Sequence, residues 1–236
     1  MSVTYDGGSL GQAPTLAGLE NPTKYSTYIN NCFAKLSDGV GGFNLTELND
    51  SGDSEFTATA AVVDGKGGVV TISPNTGGDS AHDGVQVGMG NVFKLDKAFY
   101  FEAKVKFANV GSVFVGLCPG ADDTAYYNGS SVAQPADRIG WENASAGSTS
   151  LTFIARKNST DSTQASFATA NATFVRLGFL WRDGVCRLFL DGAEQGTIET
   201  NVPDDVEMGP IIAMTSDGSA GVPSVSVDWV YAIQEA

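Results

Sequence analysis

Acids dominate the reactive side chains. The chain holds 27 Asp and Glu against 13 Lys and Arg, one histidine (His82) and three cysteines (Cys32, Cys118 and Cys186). Two carboxylates facing each other across a bond would hydrolyse a glycoside, at about 5–5.5 Å separation in a retaining enzyme. Here the acids are scattered. Glu102 stands alone in its segment, and Trp141-Glu142-Asn143 sets one acid beside an indole with no second acid at a useful spacing. Asp50/Asp53, Asp79/Asp83, Asp122-Asp123 and Asp204-Asp205 offer oxygen ligands suited to Ca²⁺, but none has the EF-hand spacing. Asp and Gly are also ordinary turn formers, which is the reading adopted for these loops. His82 lies between Ala81 and Asp83 in a Gly/Asp-rich stretch, with no cysteine near enough to complete a zinc site. No Gly-x-Ser-x-Gly run sits in the strand–turn–helix setting of a nucleophile elbow, Gly7-Gly8-Ser9-Leu10-Gly11 lying in the Gly-rich start of the chain, and Gly88-Met89-Gly90 lacks the strand–loop–helix setting of a phosphate cradle. Cys118 precedes Pro119-Gly120 and reads as a buried thiol. The expectation is a chain without catalytic residues, resident metal or cofactor, Ca²⁺ being the one alternative.

A binding surface is the other chemistry on offer. Sugar pockets combine an aromatic platform with Asp or Asn acceptors on loops. Asp122, Asp123, Tyr126, Tyr127 and Asn128 cluster in the long 119–137 stretch, with Trp141 close by in sequence. The alternative is that the tyrosines pin this loop to the body of the protein. The formal net charge of −14 opposes nucleic-acid binding and adsorption to anionic membranes.

The segments that must carry these residues read as strands. Asp183-Gly184 and Asp191-Gly192 punctuate apolar runs in Phe174–Ile198, the sequence signature of tight hairpins. Phe99, Phe101, Ala103, Val105 and Phe107 alternate with Tyr100, Glu102, Lys104 and Lys106, predicting one core face and one wet face. Ser112–Leu117 is expected to pair with that strand through a turn at Asn109–Gly111. The last strand, Ser224–Ile233, puts Val225, Val227, Trp229, Tyr231 and Ile233 on one predicted face. Further strands are expected at 56–63, 68–73, 85–87, 92–95, 138–142, 151–156, 163–167 and 211–214. Residues 1–54, rich in Gly and Pro, show little alternation. They are expected to form an N-terminal arm and connecting loops, with one short helix over Tyr25–Leu36. The β domain then spans 55–236, and the whole is an all-β, two-sheet antiparallel jelly-roll sandwich with an extended arm.

The order of these segments resembles the concanavalin A-like lectin/glucanase superfamily, which includes laminin G-like domains. The residues carrying the likeness are Phe99–Phe107, Ser112–Leu117, Val175–Gly192 and Val225–Ala232. The glucanase branch sets its acids along one strand as Glu-x-Asp-x-x-Glu, a motif this chain lacks. A narrower resemblance, carried by the arm, the single jelly roll and the close Val227-Asp-Trp-Val-Tyr-Ala-Ile-Gln-Glu235, is to tailed-phage virion proteins of the head decoration (cement) kind. It implies a non-enzymatic protein that binds a major capsid protein or another virion protein. The arm residues Tyr25, Tyr28, Ile29 and Phe33 would be its anchors, and a homo-oligomer such as a trimer is compatible. The expected location is the virion, after synthesis in the host cytoplasm without a signal peptide. The alternative reading is a carbohydrate- or receptor-binding fibre module.

Overall fold

The computed structural model describes residues 25–30, 43–48, 59–62, 69–73, 84–108, 112–120, 126, 135–143, 150–168, 172–215 and 224–235. All regular elements among them are strands, numbered β1 to β16 in chain order. They form two antiparallel sheets. Sheet A runs β14 (Ala193–Ile198), β13 (Val185–Leu190), β12 (Phe174–Arg182), β7 (Phe99–Ala108), β16 (Ser224–Glu235), β4 (Val70–Ser73) and β3 (Thr59–Val62), with β1 (Tyr25–Asn30) also paired to β16. Sheet B runs β11 (Thr160–Ala168), β10 (Ser150–Lys157), β9 (Arg138–Asn143), β8 (Ser112–Cys118), β15 (Glu207–Thr215), β5 (Gly84–Met89) and β2 (Phe43–Leu48), with β6 (Phe93–Lys94) also paired to β15.

The main core lies between the sheets and is fed by alternate residues of each strand. Phe99, Phe101, Ala103, Val105 and Phe107 of β7 point into it, as their alternation predicted. They meet Val113, Val115, Leu117, Ile139, Trp141 and Phe153 from sheet B. The rings of Phe99, Phe101 and Phe153 each contact Phe179 of β12, with centroids 5.4–5.9 Å apart. Such pairs add about 0.5–1.5 kcal/mol each beyond the area they bury.

Both Asp-Gly turns form as the sequence predicted. Asp183 and Gly184 join β12 to β13 with φ of 52° and 80°, and Asp191 and Gly192 join β13 to β14 with φ of 51° and 84°. Positive φ at both central residues matches the right-handed twist of the paired strands.

Several expectations are corrected. Tyr25–Asn30 is a strand, paired from Tyr25↔Glu235 to Asn30↔Val230, where a helix over Tyr25–Leu36 was predicted. Pairing with the terminal strand overrides the weak local pattern. A second strand inside residues 1–54, β2, pairs with β5. Strand β7 does not pair with β8: the chain crosses from sheet A to sheet B between them. The terminal strand keeps no single apolar face, because a bulge between Val227 and Trp229 shifts its register. Val225, Val227, Val230 and Ala232 therefore face the main core, while Tyr231 and Ile233 join a cluster on the other side of sheet A. Finally, the predicted wet face of β7 is wet at one end only. Tyr100 and Glu102 are buried, and Lys104 and Lys106 are partly exposed.

Candidate functional site

The outer face of sheet B holds the densest set of buried polar groups. Its β9 row is Arg138, Gly140 and Glu142, every second residue on one face. Arg138 and Glu142 are four residues apart, about 13 Å of extended backbone. They lean together across Gly140, and Nη2 of Arg138 lies 3.2 Å from Oε2 of Glu142. Nη1 of Arg138 donates to the Pro135 carbonyl. Both residues are buried.

Gly140 sits opposite Gly116 of β8. The two backbones come so close that a Cβ on Gly116 would lie 2.2 Å from the Ile139 carbonyl oxygen. A Cβ on Gly140 would meet the Val115 carbonyl at 2.5 Å and Cζ of Phe114 at 3.0 Å. Phe114 thus reaches over the ground that a side chain at 140 would take. The ring of Tyr126 stacks on Phe114 with centroids 4.5 Å apart and planes 15° apart. The Tyr126 hydroxyl donates to Oε2 of Glu142 at 3.2 Å, and its backbone N–H donates to Oε1 of buried Gln86 at 2.7 Å. Cys118, Ile154, Ile211 and Ala213 complete this cluster. Burial pushes the Cys118 thiol up to about 12, against a smaller opposing pull from Arg138.

Two of the residues singled out for a sugar pocket lie among the described residues. Tyr126 and Trp141 are both fully buried. Trp141 faces the inter-sheet core, its Nε1–H donates to the Gly178 carbonyl at 3.4 Å, and its ring meets Phe153 and Phe167 edge-on. The two rings therefore lie on opposite faces of sheet B and do not form one platform. Tyr126 is packed against Phe114 and bonded to Gln86 and Glu142. Asp122, Asp123, Tyr127 and Asn128 lie outside the described residues, as do Phe33, His82, Cys32 and the Asp50/Asp53 and Asp79/Asp83 pairs. Tyr25, Tyr28 and Ile29 lie in β1.

The outer face of sheet A carries a second buried acid. Tyr100 donates its hydroxyl to Oε2 of Glu102 at 2.6 Å, and Nη1 of Arg176 stands 4.0 Å from Oε1. Desolvation is the largest influence and holds the Glu102 carboxyl above its ordinary range, with the Tyr100 hydrogen bond and Arg176 opposing it. Tyr231, Phe189 and Ile233 pack beside Tyr100. Lys104 pairs with Asp228, and both Lys104 and Lys106 lie over the Phe174 ring at 5.2 and 5.1 Å. Asp204 and Asp205 are both bonded to Lys157, which draws the Asp205 carboxyl down and the lysine up.

Each described strand carries at most one carboxylate except β16, whose Asp228 and Glu235 are seven residues apart. No described strand therefore presents the neighbouring acids of a Glu-x-Asp-x-x-Glu face. Sequence reasoning missed Phe114, Gln86 and Arg138 as partners in the outer cluster. The alternation Arg138-x-Gly140-x-Glu142 was the available signal, since period two places all three on one face.

No family model and no curated protein matches the chain. Solved structures do. A protein of unknown function from Shewanella oneidensis MR-1 is similar at 14% identity and TM-score 0.62, covering 90% of this chain and 87% of its own. The Bacillus licheniformis β-glucanase aligns at 15% identity and TM-score 0.60, covering 87% of this chain and 97% of its own. The carbohydrate recognition domain of Emp47p aligns at 10% identity and TM-score 0.61, covering 92% and 99%. Identities this low speak for the fold and not for activity. The chain is a two-sheet antiparallel jelly roll of the concanavalin A-like architecture that glucanases and lectins share.

Proposed function

We propose that the chain is a non-enzymatic structural binding protein, attaching to a virion shell in the manner of a head decoration protein. The observation that supports a non-catalytic role is the state of Glu142. It is the one acid described on β9, and it is already bonded to Arg138 and Tyr126. A retaining glycosidase would need a second carboxyl about 5–5.5 Å away and room for a sugar between the two. The ring of Tyr126 occupies that room. Shell attachment would use β1, which pairs with β16 on one edge and has no second strand partner among the described residues. A free strand edge accepts a strand from another protein through main-chain hydrogen bonds. Many copies on a shell would add avidity.

The test is co-sedimentation with assembled particles of the encoding phage. Deleting residues 2–40, which removes β1, should abolish decoration while circular dichroism still reports β structure. A folded truncation that decorates particles as fully as the intact chain contradicts the role given to β1.

A carbohydrate-binding module is the second reading, favoured by the likeness to the Emp47p domain and to peanut lectin. The ligand would then be held by Asp122, Asp123, Tyr127 and Asn128, since Tyr126 and Trp141 have no free ring face. Glycan-array binding that disappears in Asp123→Ala and Tyr127→Ala variants would favour this reading over the first.

A further inference from the structure

The two Asp-Gly turns share a backbone geometry but not their surroundings. Asp183 has φ of 52° and Asp191 of 51°, and each is followed by a glycine at positive φ. Asp183-Gly184 is open. The Asp183 side chain is 89% exposed, its ion pair is with Arg182 beside it at 3.4 Å, and a Cβ on Gly184 would meet nothing within 4 Å. So exposed a pair restrains little. Asp191-Gly192 is held. Oδ1 of Asp191 accepts from the Arg176 N–H at 2.9 Å, and the Asp191 carbonyl accepts from Nη2 of Arg176 at 2.7 Å. The Asp191 N–H donates to the Arg176 carbonyl at 2.9 Å. The same guanidinium lies 2.8 Å from where a Cβ on Gly192 would stand.

An aspartate before glycine can close on its own backbone. The glycine nitrogen attacks Cγ, the carboxyl hydroxyl leaves as water with the amide proton, and a five-membered imide forms. Water then adds at the main-chain carbonyl. That C–N bond breaks, the nitrogen regains a proton while keeping its bond to Cγ, and an α-carboxylate is released. The product is isoaspartate, of unchanged mass. The imide ring holds ψ of the aspartate near about −120°, which with φ near about +60° is the first central position of a type II′ turn. Both aspartates already have that φ, so each needs only a flip of its Asp-Gly peptide. At Asp191 the flip pulls the carbonyl off Nη2 of Arg176, and Cγ is tied to the Arg176 N–H through Oδ1.

We propose that Asp183-Gly184 is a self-modification site that converts to isoaspartate in the folded protein, and that Arg176 withholds the same reaction from Asp191-Gly192. The site would place a β-linked residue and a new carboxylate at the tip of the β12–β13 hairpin. This inference stands apart from shell attachment through β1, and either can fail without the other.

The test ages the full-length native protein at 37 °C beside a sample unfolded in guanidinium chloride. Isoaspartate is counted at each site by peptide mass spectrometry with electron-transfer fragmentation. In the native protein Asp183 should convert and Asp191 should lag by about tenfold or more, since its hydrogen bonds must break first. In the unfolded sample the two should convert within about twofold of each other, because both precede glycine and neither is then held. Arg176→Ala should speed Asp191 by about threefold or more and leave Asp183 unchanged. Equal rates in the native protein, a native Asp183 that stays intact while the unfolded chain converts, or an Asp191 equally slow when unfolded would each overturn the proposal. A folded Arg176→Ala variant with an unchanged Asp191 rate overturns the role given to the guanidinium.

Discussion

Glu102 shows how one residue couples burial to pH. Its folded-state pKa is raised, chiefly by desolvation, so ionising it costs more in the sandwich than in the unfolded chain. The stability it contributes is complete below the unfolded value and disappears as pH rises through the folded one. Glu102→Gln should therefore flatten the loss of stability across that window and leave the variant relatively more stable at neutral pH. Urea unfolding of both proteins at a series of pH values checks this, and parallel curves would contradict it. The thiols give a second prediction. Burial raises both Cys118 and Cys186 far above the usual thiol range. The thiolate is the reacting form. Neither residue should be labelled by iodoacetamide at pH 8 in the native protein, and both should react in urea, as followed by peptide mass spectrometry.

Close approach between β8 and β9 depends on two glycines facing each other. Gly140→Ala puts a methyl group within 2.5 Å of the Val115 carbonyl and 3.0 Å of the Phe114 ring. Neither backbone can yield without disturbing the ladder, so the cost should reach about 1–3 kcal/mol or more. Chemical denaturation measures it, and a loss under about 0.5 kcal/mol, as for ordinary surface changes, would contradict the packing described. Much at this scale was legible in the residues. The Asp-Gly pairs foretold the β12–β13–β14 meander, and period two foretold the inward face of β7. What escaped was long-range. The bulge at Val227/Trp229 turns a clean alternation into two half-faces, and a bulge has no signature in hydrophobic spacing alone. Likewise β1 exists because β16 accepts it, a pairing across the whole length of the chain that no local window contains.

At the scale of the molecule, two apolar clusters among the described residues lie outside the inter-sheet core, one on each outer face. Sequence patterning located the inner core well, because both sheets feed it by alternation. It could not place the outer clusters, since Tyr126 comes from a connecting stretch and meets Phe114, Gln86 and Glu142 only once the sheet has formed. Of the residues singled out in the 119–137 stretch, Tyr126 is described, and its ring is turned inward against Phe114, an orientation that residue type and spacing do not reveal.

Reducing-sugar release from a mixed-linkage β-glucan tests the central claim most directly, run on the intact protein beside its Glu142→Gln variant. Both should release no more sugar than a blank without protein. Turnover by the intact chain that vanishes in the variant would show that Glu142 does chemistry, and the account of a non-catalytic sandwich would be wrong.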